Sequence, residues 1–196
     1  VSLERVSGAV LAGGRSSRFG LDKALASWRG KTLLEHALAG LEGCAERFVV
    51  GGSAIEYGFA GVPVHPDPEP HQGSLFGLAR ALEIAVQPRV AVTACDMPRL
   101  SGAYWTFLAG LEPADVVIPE NANAQLEPLA AIYAKTCLSS VRDAIEESEL
   151  KMTGWLERVS VRVVPWVDVE SRFGSDVFRN VNTRADLERA REDSLE

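Results

Sequence analysis

Val10-Leu11-Ala12-Gly13-Gly14-Arg15-Ser16-Ser17-Arg18-Phe19-Gly20-Leu21-Asp22-Lys23-Ala24 is the stretch around which this 196-residue chain is organised. The compact apolar run from Val6 to Ala12, with one polar position and one glycine, reads as a buried strand. It ends in paired glycines, and two arginines, an aspartate and a lysine follow. Glycines leave room for a ligand against the main chain, and cations close behind them suit phosphate oxygens. Arg15, Arg18 and Lys23 are therefore candidate phosphate contacts, against the plainer reading of a tight surface turn carrying scattered cations. Gly13-Gly14 has no third glycine at the dinucleotide-fingerprint offset, and no Gly-Lys-Ser/Thr closes a P-loop.

Outward from this loop, strand and helix patterns alternate. Thr32 and Glu35 predict a capping box at a helix that begins near Leu33, with Leu34, Ala37, Leu38 and Leu41 along its apolar face. Arg47 to Val50 reads as a strand running into Gly51-Gly52, and Val62 to His65 as another that ends at Asp67, a candidate for a ribose or base. A helix opens at Ser74 and continues through Val86. Arg89 to Ala94 is a buried-type strand ending in Cys95-Asp96-Met97-Pro98. Burying an unpaired carboxylate costs several kcal/mol, so Asp96 belongs at an open strand end, as a turn or capping group or as a ligand for Mg2+.

Further on, the pattern predicts a helix from Ser101 to Leu111 interrupted at Gly110, and strands over Asp115 to Pro119 and Leu126 to Tyr133. Helices are predicted from Lys135 to Ser148 and from Leu150 to Arg158, then an edge strand from Val161 to Val167, where Pro165 disfavours a central position. Lys151 reads equally as a phosphate contact or as a solvated surface lysine. Near the end, Thr183 with Asp186 suits a helix cap, which leaves the amides of Asn180 and Asn182 to hold a loop or a ligand. The expected architecture is one α/β domain over residues 1–196, a three-layer α/β/α sandwich on a mostly parallel sheet. The strand ends at Gly13, Gly51, Asp67 and Asp96 are expected to converge on one crevice.

The formal charge of −7 argues against a broad nucleic-acid surface while leaving room for a small basic pocket. Cys44, Cys95 and Cys137 are odd in number and far apart, which suits separate buried thiols rather than a disulfide framework or zinc cluster. His36, His65 and His71 are poorly spaced for zinc. No leader and no membrane-spanning run is expected, so the cytoplasm is the default location.

The loop also resembles the nucleotidyltransferase signature Leu-x-Gly-Gly-x-Ser-x-Arg-Met-Gly-x-Asp-Lys, here Leu11 to Lys23 with Phe19 in the methionine position. Four later segments are similar to the molybdenum cofactor guanylyltransferase family within that superfamily. They are Gly73-Ser74-Leu75-Phe76-Gly77, with serine for the usual proline; Cys95-Asp96-Met97-Pro98; Glu127-Pro128-Leu129, with glutamate for Gln/His; and Asn180 to Leu187, with Arg184 for proline.

The resemblance implies a Rossmann-like nucleotidyltransferase fold and transfer of GMP from Mg-GTP to the terminal phosphate of molybdopterin, with release of pyrophosphate. By that analogy Leu11, Ala12, Gly13 and Gly14 hug the guanine nucleotide and Lys23 meets its phosphates. Asp67 faces the nucleoside and Asp96 binds Mg2+. Gly51 and Gly52 stand where the family often has an asparagine, which implies a backbone contact in its place. Glu127 would repel an anionic acceptor unless it points away or accepts from pterin amino groups.

The resemblance further implies a monomer or weak oligomer, handover from a cofactor-inserting enzyme and delivery to molybdenum-enzyme chaperones, with no nucleic-acid or membrane partner. Arg15, Arg18, Lys23 and Mg2+ suffice for phosphoryl chemistry without a covalent intermediate, and Cys95 is expected to face the core. The alternatives are a related transferase that uses CTP or a sugar or alcohol phosphate, and a nonenzymatic nucleotide-binding subunit.

Overall fold

A computed structural model describes residues 2–12, 22–52, 54–66, 73–181 and 186. Seven strands form one sheet: β1 (Val6–Leu11), β4 (Glu46–Val50), β5 (Val64–His65), β6 (Arg89–Ala94), β7 (Val116–Pro119), β8 (Ala130–Ala134) and β9 (Val161–Val164), in the order β5-β4-β1-β6-β8-β7-β9. A two-stranded hairpin, β2 (Ser27–Trp28) and β3 (Lys31–Thr32), stands apart. β1 pairs in parallel with β4 on one side and β6 on the other, while β8 runs antiparallel to both β6 and β7. The sheet is therefore mostly parallel, as the alternation of strand and helix patterns predicts.

The layers follow from the two-residue period of the strands. Val10, Ala91 and Val117 face a core cluster with α1 (Leu33–Gly40), α4 (Gly102–Gly110) and α6 (Trp166–Phe173). Their neighbours Ala9, Leu11, Val90, Val92, Val116 and Ile118 face the opposite cluster, with α3 (Ser74–Ile84) and α5 (Leu138–Glu146). A short helix, α2 (Ala54–Tyr57), follows β4. β1 leads away to β4 and β6 leads away to β7, so outgoing connections of adjacent central strands diverge and open a crevice at their carboxyl ends.

Local chemistry explains the element boundaries. The capping box at α1 forms as expected: Glu35 N–H donates to Thr32 Oγ1 (3.1 Å), and Thr32 N–H donates to Glu35 Oε2 (2.7 Å). α4 ends at Gly110 rather than being interrupted there, and α3 stops at Ile84. The strand read from Leu126 begins only at Ala130, because Leu126 makes an isolated bridge with Glu120 and Glu127 to Leu129 form its exit loop. The stretch from Leu150 resolves into turns and a 3-10 segment at Leu156–Arg158. β9 sits at the sheet edge as expected but stops at Val164. Pro165 takes the N-cap of α6, whose single turn of alternation had read as strand.

Gly40 marks where α1 meets the chain leaving β6, since a Cβ there would lie 2.0 Å from the Leu100 carbonyl oxygen. At Gly102 an added Cβ finds only ordinary contacts, starting at 3.6 Å. Gly40→Ala is expected to destabilise the fold by about 2–3 kcal/mol through overpacking, while Gly102→Ala stays within about 1 kcal/mol of the parent. Urea midpoints of the two variants check the contrast.

Candidate active site

The crevice between β1 and β6 is built from the two connections that leave those strands. After β1 the chain returns to the described structure at Asp22, which caps a 3-10 turn over Lys23–Leu25 by accepting from Ala24 N–H at 3.0 Å. That cap fixes the direction of Lys23. After β6 the chain turns sharply, and Met97 N–H donates to the Ala94 carbonyl at 3.3 Å, which brings Asp96 to the strand end. Lys23 Nζ then meets Asp96 Oδ2 at 2.7 Å, an ion pair in which both side chains are mostly buried, 16% and 21% exposed. Asp96 Oδ1 is buried and has no hydrogen-bond partner among the described residues. A carboxylate oxygen withdrawn from water in this way is set for a cation or a donor brought by a ligand.

The C-terminal segment joins here as well, for Val181 N–H donates to the Asp96 carbonyl at 2.9 Å. Asn180, the residue before it, is exposed. On the other flank, Ala12 N–H donates to the Val50 carbonyl (2.8 Å), and Gly51 N–H to the His65 carbonyl (2.9 Å). Gly51 thus contributes backbone and no side chain. Leu11 is buried against α3, where Gly77 lets the helix approach: a Cβ there would be 3.3 Å from Leu11 Cδ1.

The structure therefore brings Leu11, Ala12, Lys23, Gly51, Asp96 and the Asn180–Val181 junction to one end of the sheet. Gly13, Gly14, Arg15, Arg18, Asp67 and Asn182 lie outside the described residues, as does the rest of the Gly-rich loop. Lys151 is exposed, in the turns that follow α5. Among the described residues no group of three His, Cys, Asp or Glu side chains is arranged for a metal. Cys95 is buried, and burial pushes its thiol up to about 12, with the neighbouring Asp96 adding to the effect. A thiol held protonated in this way is a poor nucleophile.

Sequence reasoning missed Tyr57. This buried phenol donates to Asp22 Oδ2 and lies 3.4 Å from the Ala12 carbonyl, so it ties together the two stems of the Gly-rich loop. Burial, then the Asp22 carboxylate, raises its pKa well above the usual phenol value. Gly52 makes space for it, since a Cβ at that position would fall 2.1 Å from the ring, and its φ of +64° favours glycine independently. No pattern in Glu56-Tyr57-Gly58 marks the role, because the partner lies 35 residues away.

Glu127 is half-buried on the far side of the crevice. Its Oε1 accepts from Asn121 Nδ2 at 2.8 Å, and Asn121 Oδ1 accepts in turn from the N–H groups of Asn123 and Gln125. Desolvation raises the Glu127 pKa, the Asp96 carboxylate adds to the rise, and the Asn121 bond opposes it. The carboxylate is thus held by its own loop, rather than directed away into solvent.

The MobA-like NTP transferase domain model matches residues 8–162 of this chain. A probable molybdenum cofactor guanylyltransferase of Carboxydothermus hydrogenoformans is 32% identical over 189 residues, covering 95% of each chain. One of Deinococcus radiodurans is 36% identical over 189 residues, covering 93% of this chain and 92% of that one. The crystal structure of molybdopterin-guanine dinucleotide biosynthesis protein A from Archaeoglobus fulgidus superposes with a TM-score of 0.79 at 27% identity, over 96% of this chain and 98% of that chain.

The raised pKa of Glu127 has a defined sign. Folding favours its protonated form, so its contribution to stability is present at acid pH and is lost as pH rises from the ordinary glutamate range through the folded value. Glu127→Gln keeps a carbonyl acceptor for Asn121 and removes the charge. The variant is expected to be more stable than the parent at neutral pH, with the advantage vanishing below about pH 4. Urea midpoints across pH check this.

Proposed function

Because the chain belongs to the molybdenum cofactor guanylyltransferase family of MobA-like NTP transferases, we propose that it transfers GMP from GTP to the terminal phosphate of molybdenum-bearing molybdopterin. The products are the guanine dinucleotide cofactor and pyrophosphate. The observation that carries this reading is the Lys23–Asp96 pair at 2.7 Å, with Asp96 Oδ1 buried and unpartnered beside it. The catalytic unit is taken as one nucleotidyltransferase domain over residues 1–196.

The reaction breaks one P–O bond and makes another. An oxygen of the acceptor phosphate attacks the α-phosphorus of GTP, the bond from that phosphorus to the bridging oxygen breaks, and the β- and γ-phosphates leave as pyrophosphate. Two polyanions must approach and charge must be neutralised as the leaving group departs, so cations in fixed positions matter more than any nucleophilic side chain. Lys23 is oriented by Asp96 on one side and by the Asp22-capped turn on the other, and would meet the nucleotide phosphates with little reorganisation. Arg15 and Arg18, on the same connection, supply further positive charge, and Gly13 and Gly14 admit the nucleotide to the main chain. Leu11, Ala12 and Gly51 present backbone to the guanosine end, and Asp67 suits the ribose. Asn180 and Asn182 would serve the acceptor side, a role supported by the bond from Val181, the residue after Asn180, to the Asp96 carbonyl.

The orphaned Asp96 Oδ1 fits a divalent cation, with phosphate and water oxygens to complete its shell. A bound Mg2+ supplies Lewis-acid stabilisation of charge on the transferring phosphate. Among the described residues no helix is long and apolar enough to cross a membrane.

Pyrophosphate release is the test, run with GTP, CTP, UTP or ATP, with and without Mg2+ and molybdenum-loaded molybdopterin. Release is expected only with GTP, Mg2+ and acceptor together. Asp96→Asn and Lys23→Met are each expected to lower kcat/KM by at least about 100-fold, while far-UV circular dichroism still shows a folded chain. A preference for CTP would reassign the donor, and tight GTP binding without turnover of active acceptor would make the protein a nucleotide-binding subunit.

A further inference from the structure

The segments that meet at the Lys23–Asp96 pair part again beyond it, and between them they leave a cavity of about 580 Å3. One wall is the hairpin that follows Lys23, with Trp28 and Arg29. A second is Pro98 and Arg99, just past Asp96, and a third is the loop after α6, with Asp176. His36 of α1 closes the base, its Nε2 lying 2.7 Å from the Trp28 carbonyl. The cavity belongs to the face of the sheet covered by α1, α4 and α6. The nucleotide positions Leu11 and Gly51 lie on the β4 flank instead, with Leu11 buried against α3.

The chemistry of the lining is specific. The Trp28 ring carries the Arg29 guanidinium 4.7 Å from its centroid and the Arg99 guanidinium at 5.9 Å, with the His36 ring tilted against it at 4.6 Å. Trp28 is 3% exposed, yet its Nε1 donor is buried with no hydrogen-bond partner among the described residues. Asp176, the carboxylate of the lining, is shared between Arg99 at 3.8 Å and Arg179 at 3.7 Å. The cavity is thus locally cationic in a chain of net charge −7. Planar guanidinium groups stack on heteroaromatic faces and pair with phosphate oxygens, and a buried indole N–H is a donor for a ring carbonyl. A volume of this size falls in the range of small-molecule sites.

We propose that this cavity is the acceptor subsite: it takes the flat, oxo-substituted heteroaromatic ring of a phosphorylated acceptor and leaves the phosphate beside Lys23 and Asp96. This rests on the transferase reading above. Arg29 and Arg99 act as specificity determinants for the ring and its phosphate, and the Trp28 indole backs both guanidinium groups and contributes its N–H. The donor nucleotide enters from the opposite flank, so the two substrates meet at the ion pair without competing for one pocket.

The test uses the intact protein and neopterin monophosphate, a pterin carrying one phosphate, as the probe. Binding is followed by tryptophan-excited pterin emission and, independently, by equilibrium dialysis, with GTP binding measured in parallel. Saturable pterin binding is expected in the parent. Arg29→Gln, on an exposed hairpin turn, and Arg99→Gln are each expected to weaken it by about tenfold, the scale of one lost charge-assisted contact. GTP affinity should stay within about twofold of the parent. Trp28→Phe should remove most of the energy-transfer signal and weaken binding in dialysis. In turnover assays the arginine variants should raise KM for the acceptor and leave KM for GTP unchanged. Unaltered pterin affinity in both arginine variants, or displacement of the pterin by GTP alone, would overturn the subsite. Failure of GTP-dependent pyrophosphate release with an active acceptor would overturn the transferase reading instead, and the dialysis result separates the two failures.

Discussion

The contact between Lys23 and Asp96 joins two connections that the sheet sends in opposite directions. Each residue lies just beyond the carboxyl end of a central strand, and neither is well hydrated. Removing Lys23 would leave the mostly buried Asp96 carboxylate without its cation, which generally costs more than the intact pair contributes. The pair therefore constrains the local geometry strongly even if its net stabilisation is small. The surrounding structure supports it on every side. The Asp22 cap aims Lys23, the turn after β6 aims Asp96, and Val181 anchors the C-terminal segment to the Asp96 main chain.

Tyr57 has a different task, which is mechanical. By bridging the Ala12 and Asp22 stems, the buried phenol fixes the span the loop must cover before any ligand arrives. Gly52 is the counterpart that makes this possible, since any side chain there would occupy the volume of the ring.

Glu127 shows how a carboxylate can sit opposite an anionic reaction without abolishing it. Its charge is offset by Asn121, which is itself fixed by two backbone donors of the same loop. Burial and the neighbouring Asp96 both disfavour the ionised form, a cost that the Asn121 bond partly offsets.

Much of this was legible in the chain alone, for identifiable reasons. Strand 6–11, strand 89–94 and the capped helix at Leu33 are written in local patterns: apolar runs, a two-residue period and a Thr-x-x-Glu box. That Lys23 and Asp96 lie at one end of the sheet was legible, because each sits on the connection that leaves a buried-type strand of a mostly parallel sheet. α6 was not, because Pro165 ends a strand and starts a helix within one turn and the alternation on either side is short. Tyr57, the cavity beside Trp28 and the buffering of Glu127 by Asn121 were also beyond reach. Sequence alone determined most of the strands and helices of the sheet and its layers, since those depend on neighbours within one or two turns. Tertiary structure decided which distant groups share a hydrogen bond or a wall, since that depends on how segments dozens of residues apart pack across the sheet.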